Sequence, residues 1–392
     1  MSPVYSPDPR GPRSPHPGRT RTLALVLAAA ALGLVVGCGE NPGGPGDSDP
    51  TVDLQCSIPT DQIADGGVGR GGIPALSDPE LVSPGGSGTE YLRAGVSADP
   101  EVRVIGLRAP DGQPIAVPHR ILWWHEIVNF DFGDRKIAVT LCPLTGSSLA
   151  FDRAAVDGRE FVVSGLLYLN NLMMAPAEGG RTLYPQMSRG GRCGPDRGVE
   201  LEQVHVTEMS WEQWKSLHPD TRVISSSTGF QRDYTDYPYG SYNSLGNSNT
   251  LFPVPRIDGR RPPKELVLGI PHEDGGLAVP FGALQNTAEV ALDSVSVGGE
   301  PVWVFWKAQA RSAAAYRPEA VMPSGETRTA SFTLDGGEIV DRETGSVWTL
   351  DGRAVSGPME GAELEPVREA YPAFWFAWAL FQPETEIWEP PS

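Results

Sequence analysis

The chain repeats itself at a spacing of about 164 residues, and this self-similarity constrains the fold more than any local motif does. Val104-Ile105-Gly106 corresponds to Val267-Leu268-Gly269, and Ala116-Val117-Pro118 to Ala278-Val279-Pro280. The run IAVTLCPLTGSSLAFDR from Ile137 lies over VWVFWKAQARSAAAYRP from Val302, which places Phe151 on Tyr316 and Cys142 on Lys307. Glu200-Leu201-Glu202 matches Glu363-Leu364-Glu365, Trp211 and Trp214 match Trp375 and Trp378, and HPDT from His218 matches QPET from Gln382. The period exceeds that of a solenoid, so two tandem copies of a domain-sized unit are expected. Gly, Pro and many short β-like runs point to mainly β structure. Each copy is expected to end in a short Trp-rich helix. SWEQWKSLHPDT starts with a Ser N-cap and sets two tryptophans three apart on one face, and PAFWFAWALFQPET repeats this with Pro372 near its start. The expected class is α+β, mainly β, with a first unit over 99–225, a connecting loop over 226–264 and a second unit over 265–390.

The N-terminus reads as an export signal. Arg10, Arg13, Arg19 and Arg21 precede the apolar run LALVLAAAALGLVV, which is short of the ~20 residues a membrane span needs. Val35-Val36-Gly37-Cys38 resembles a bacterial lipobox, which implies cleavage of residues 1–37 and a lipid on Cys38. The alternative is an ordinary secretory signal with an incidental cysteine. Residues 38–98 are rich in Gly, Pro and acid and are expected to act as a tether and linker.

The formal charge is −18, and cleavage would remove a net +3, leaving about −21. Such a surface repels nucleic acid and anionic membranes, so a DNA or RNA role is excluded and a lipid, not charge, would hold the protein at a membrane. Lipidation leaves Cys56, Cys142 and Cys193. A Cys56–Cys193 bridge with Cys142 free is one reading, and three unpaired thiols are the other.

Residues 121–153 gather the reactive types: His125, Glu126, Asn129, Cys142 and Thr145 among apolar residues. The connecting loop is dense in Tyr, Gly, Asn and Ser. It either binds a partner through Arg232, Asp233 and Tyr234 or covers the seam between the copies with its tyrosines packed. Gly67-Val68-Gly69-Arg70-Gly71-Gly72 satisfies G-x-G-x-x-G but has no βαβ context, so it reads as flexible chain. No G-x-S-x-G elbow is present.

HEIVNF, CPLTGSSLAFDR, SGLLYLNNLMM, the W-x-x-W-x-x-x-HPDT helix, TGFQRDYTDYPYGSY, RRPPKELVLG, DRETGSVWTLDGRAVSGPMEGAEL and FWFAWALFQPET together resemble the exported family of unknown function DUF3179. The resemblance covers about residue 100 to the C-terminus. It implies a bacterial or archaeal envelope protein and supplies no substrate. The family's cysteine pattern is often C-P-L-C, and some relatives are selenoproteins, which resembles a redox thiol centre. Here the motif reads Cys142-Pro143-Leu144-Thr145, so a two-thiol mechanism within it is excluded.

Three function classes follow. In the first, Cys142 is the nucleophile of a single-thiol oxidoreductase or peroxidase, with His125 as base, Glu126 or Asn129 orienting it, and Thr145 donating a hydrogen bond to the thiolate. Cys193 or an outside thiol would resolve a sulfenic acid. The competing reading is a buried cysteine packed as a small hydrophobe. In the second, Cys142 and His125 with His119, His205 or Glu126 hold copper or zinc, although no paired ligand spacing such as C-x-x-C is present and no cofactor is expected. In the third, the protein binds a small molecule or an envelope partner without catalysis. Trp375, Phe376 and Trp378 are expected in the core rather than on a binding platform.

Overall fold

The computed structural model describes residues 55–93, 95, 102–273, 275–286 and 290–390. The export segment, Cys38 and the tether up to residue 54 lie outside the described residues. All the elements below belong to one compact unit. Among the described residues no helix is long and apolar enough to cross a membrane.

The structure is mainly β, as six sheets with short helices between them. In the first half, RVIGLR and PIAVP form the antiparallel pair Arg103–Arg108 and Pro114–Pro118, buried almost throughout. Continuous burial of β-branched residues on both faces is what such unalternating runs require. Thr207–Ser210 pairs antiparallel on one side and Arg222–Ile224 parallel on the other. The second half repeats this pairing: Leu266–Ile270 with Leu277–Pro280, flanked by antiparallel Tyr371–Phe374 and parallel Glu386–Ile387. Val104 faces Pro118 as Val267 faces Pro280.

A meander follows in each half. Ile127–Asp131, Lys136–Cys142 and Ser147–Asp152 pair in order, with Gln203–Val204 on the last. Val290–Val297, Glu300–Lys307 and Ser312–Val321 pair likewise, with Glu363–Pro366 on the last. The halves differ in what is added. The first carries the hairpin Phe161–Tyr168 and Asn171–Pro176, and the second a four-stranded sheet from Phe332 to Ser356.

Among the described residues each half holds two short α-helices, not the one expected. Helix α1 (His119–His125) directly follows Pro118, and α2 (Trp211–Leu217) follows Thr207–Ser210. In the second half α3 (Phe281–Gln285) follows Pro280 and α4 (Trp375–Phe381) follows Phe374. The Ser210 hydroxyl caps α2 by accepting from the Gln213 amide at 3.3 Å. Pro372 is not in α4: it lies in the preceding strand, paired with Leu268. The tryptophans of α2 and α4 are core residues in the same setting. Trp214 Nε1 donates to Thr221 Oγ1 at 2.8 Å, and Trp378 Nε1 to Thr385 Oγ1 at 2.8 Å.

Residues 55–93 are not a tether. Leu76–Ser77 adds parallel to Ile127–Asp131, Leu81–Val82 pairs with Arg222–Ile224, and Ile63–Asp65 pairs with Phe161–Tyr168. Leu76, Tyr91 and Leu92 enter the main core. Scattered apolar residues suffice here, because the segment borrows the edges of sheets already formed. The glycine-rich run is an ordered turn: Gly66 N–H donates to Gly165 O at 2.8 Å and Gly71 N–H to Val163 O at 2.8 Å. Cys56 and Cys193 form a disulfide with an S–S distance of 2.04 Å, leaving Cys142 as a free, buried thiol.

Candidate functional site

Helix α1 presents the His-Glu pair at its C-terminus. Glu126 is the C-cap, with φ +57° and ψ −30°, a left-handed backbone uncommon for a residue with a side chain. The preceding His125 is fully buried. Its Nδ1 lies 2.7 Å from the Pro74 carbonyl, which can only accept, so Nδ1 carries the proton. Nε2 then accepts from the Tyr234 hydroxyl at 2.7 Å. Burial lowers the imidazole's pKa, and Arg232 pushes the same way against the Pro74 hydrogen bond. Both ring nitrogens are therefore spent on Pro74 and Tyr234, and His125 is not hydrogen-bonded to Cys142.

Cys142 ends the strand Lys136–Cys142 and is fully buried. Its Sγ accepts from the Leu172 amide at 3.3 Å and sits 3.6 Å from the Asn170 carbonyl. Burial, reinforced by the charge of Glu126, pushes the thiol up to about 11, against smaller opposing hydrogen bonds from Thr145 and Leu172. A reactive cysteine needs the opposite shift. The titratable partner of this thiol is thus Glu126. Burial pushes that carboxyl up to about 8, against a Tyr239 hydroxyl contact at 3.4 Å, so it is protonated at neutral pH.

Thr145 belongs to a sealed network. Its hydroxyl meets Ser147 Oγ at 2.8 Å and accepts from Asn171 Nδ2 at 3.0 Å. Asn171 Nδ2 and Ser147 Oγ both donate to Gln186 Oε1, at 2.9 and 2.6 Å, and Gln186 Nε2 donates to Thr140 Oγ1 at 2.8 Å. All five side chains are fully buried. Such a network holds one conformation because each member lost would strand the others.

Of the remaining expected binding residues, Asn129 and Tyr234 are buried, and Arg232 and Asp233 stay exposed on the connecting loop. The Asn129 amide cross-links strands, donating to Phe161 O at 3.0 Å and accepting from Phe161 N at 2.9 Å, so it presents nothing to a ligand. In the connecting loop, Arg232 lies 5.6 Å over the Trp124 ring, and Asp233 accepts from the Thr235 amide at 2.9 Å. Tyr234 is buried on His125, and the Tyr242 hydroxyl donates to Leu144 O at 2.9 Å. Two of the loop's tyrosines, Tyr234 and Tyr242, are thus packed, while its Tyr237, Asn243 and Leu245 line a cleft. Among the described residues no three metal-ligand types gather. His119 stands against Glu208 and His205 against Tyr316.

A cleft of about 230 Å³ opens on the other face of the same strand. Side chains alternate along a strand, so Leu141 and Pro143 line the cleft while Cys142 points into the core behind it. Trp123, Tyr237, Phe281 and Phe374 supply apolar wall. One polar wall is Glu208, which accepts from Arg103 Nε at 2.8 Å, Arg103 Nη2 at 2.6 Å and Ser148 Oγ at 2.5 Å. His119 Nε2 lies 3.3 Å from this carboxylate, out of line for a good hydrogen bond. Burial would raise Glu208, but the charges of His119 and Arg103 hold it well below the usual carboxylate range.

The other polar wall comes from RRPPKEL. Strand Leu266–Ile270 pairs with Tyr371–Phe374, and Trp375 N–H donates to Glu265 O at 2.8 Å, which fixes Lys264 and Glu265 beside the FWF segment. Glu265 is taken by Arg261 at 2.8 and 2.6 Å. Lys264 is only 2% exposed, and no carboxylate pairs with it among the described residues. Its Nζ donates to Asn249 O at 2.7 Å and stands 3.7 Å from the Tyr242 ring and 4.5 Å from that of Phe376. Burial lowers the amine to about 8. Sequence reasoning passed over Lys264, although the sequence held a signal: it is one of four lysines, set in a motif between aromatic segments.

No curated protein and no solved structure matches the chain. A family model described as a protein of unknown function, DUF3179, matches residues 70–385. The match starts inside the segment that packs onto the first half, and on it the chain belongs to the DUF3179 family.

Proposed function

We propose that this is an exported binding protein of the cell envelope, lipid-anchored through Cys38, whose cleft takes a small ligand with an apolar body and an oxygen-bearing head. The observation that carries this reading is Lys264. Lys264 lines a cleft with aromatic walls as a buried amine with one backbone acceptor, its Nζ otherwise set against the Tyr242 and Phe376 rings. Desolvating an amine without a carboxylate is costly, and a ligand oxygen would offset part of that cost. The volume is below the ~300–1,000 Å³ of drug-sized sites, which favours a compact ligand. The shared pairing of the two halves supports descent from one duplicated unit, with the cleft drawing on both.

The thiol-enzyme reading has less support, since Cys142 is enclosed and its pKa is raised. The binding reading is tested by calorimetry with small aromatic carboxylates and carbonyl compounds. Saturable heat in wild type, lost in Lys264→Ala, is expected. Absence of binding across the panel, with the protein shown to be folded, would overturn it. Export and lipidation are tested separately, by the mass of the mature N-terminus from cells expressing the full chain and Cys38→Ser.

A further inference from the structure

We propose that the Arg103–Glu208–His119 wall of the cleft binds a hydroxyl of the ligand, so that the site takes a small hydroxylated aromatic compound. This rests on the reading of the cleft as a ligand site and adds a hydrogen-bond donor to what the ligand must carry.

The two halves of the protein act as an internal control. Register gives each first-half position a counterpart. Arg103 precedes Val104 as Leu266 precedes Val267, and His119 and Phe281 each open the helix after a strand-ending proline. Gly146 and Arg311 each hold a left-handed φ, +61° and +43°, just before the serine that opens the third strand of each meander. All six line the cleft, so it lies where like positions of the two halves meet. Glu208 pairs with Ile105 as Pro372 pairs with Leu268, and Ser148 with Leu141 as Ala313 with Trp306. The first half therefore sets Arg103, His119, Ser148 and Glu208 where the second sets Leu266, Phe281, Ala313 and Pro372. The same strand pairing forms with apolar side chains at all four positions. The four polar residues are buried, and buried charge in place of well-packed apolar side chains is often neutral or unfavourable for stability. The fold does not account for the cluster, whereas recognition of a ligand does.

The hydrogen-bonding capacity of this wall defines the head group. Glu208 accepts two hydrogen bonds from Arg103 on Oε1 and one from Ser148 on Oε2, of about four that a carboxylate can take. The open place is on Oε2, the oxygen 3.3 Å from His119 Nε2 and out of line with it. Facing a carboxylate, Nε2 carries its proton. A hydroxyl seated against this pair accepts from the imidazole and donates to Oε2. Arg103 and Glu208 already neutralise each other at 2.6 Å, so the wall offers no net charge to an ionic head, and a neutral donor fits.

The test is calorimetry on the folded protein with benzoate, 3- and 4-hydroxybenzoate and the matching methoxybenzoates, which accept but do not donate. One hydroxybenzoate is expected to bind on the order of tenfold tighter than benzoate and than its methoxy analogue, the effect of one hydrogen bond to a charged group. The preference should shrink in His119→Phe, which matches position 281, and be lost in Glu208→Gln, with the folding of each variant checked by its thermal transition. The comparison of ligands in wild type depends on neither variant folding. Equal affinities for the hydroxy, methoxy and unsubstituted benzoates, or a preference undiminished in both variants, would overturn the proposal and leave the binding reading standing. Binding by no member of the series would remove both.

Discussion

The indole of Trp214 occupies the space that a side chain at position 106 would need: a Cβ on Gly106 would stand 2.1 Å from Cζ3 of that ring. Gly269 and Trp378 stand in the same relation, at 2.2 Å. A helix can lie this close to its sheet only where the strand has no side chain. Gly106→Ala is therefore expected to destabilise by about 1–3 kcal/mol through overpacking. Urea unfolding checks it, and Gly269→Ala should behave alike. A variant as stable as wild type would mean the helix shifts freely.

Cys142 should be unreactive in the native state. With the thiol pushed up to about 11 and enclosed, alkylation at pH 8 should proceed only through unfolding and rise with added urea. Rapid reaction of the folded protein at pH 7, or peroxide turnover lost in Cys142→Ser, would restore the thiol-enzyme reading.

Glu126 makes stability fall with rising pH. Its folded pKa of about 8 lies above the ordinary carboxyl value. Between those values the folded state holds a proton that the unfolded state has lost. The stabilisation is thus complete below the unfolded pKa and is lost as pH rises through the folded one, at about 1.4 kcal/mol per unit. Glu126→Gln should flatten this dependence between pH 5 and 8. Equal slopes for both proteins in urea titrations would contradict the assignment.

Asp351 acts in the opposite sense and joins the halves. Its carboxylate lies 3.0 Å from His218 Nε2, 3.7 Å from Arg108 Nη2 and 2.6 Å from the Thr349 hydroxyl. Burial would raise it, but hydrogen bonds and the charges of His218 and Arg108 hold it below the usual range. The stability it contributes is present above the unfolded carboxyl pKa and is lost as pH falls through the folded value. Asp351→Asn should cost on the order of 3 kcal/mol at pH 7, by unpairing buried charge, and less at pH 3. A cost that is constant with pH would argue against the ion pairs.

Periodic and local features were legible in the sequence. The runs around Val104, Val117, Val267 and Val279 are continuous apolar stretches and became buried strands. The Ser210 cap and the core tryptophans were also within reach of composition and spacing, whereas the Cys56–Cys193 bridge was one of two open readings that the fold decided. Tertiary structure decided what no local pattern encodes. It drew residues 55–93 into the sheets, because a weak apolar segment is held by edges formed elsewhere in the chain. It gave the His125 imidazole to Pro74 and Tyr234 rather than to Cys142, because the end of α1 turns the ring toward those two partners. It also placed Lys264 by Tyr242 and Phe376, residues far along the chain, so the environment that sets the amine's chemistry exists only once the chain has folded. Residue types announce which groups can react, whereas burial and partners, set by long-range packing, decide which of them do.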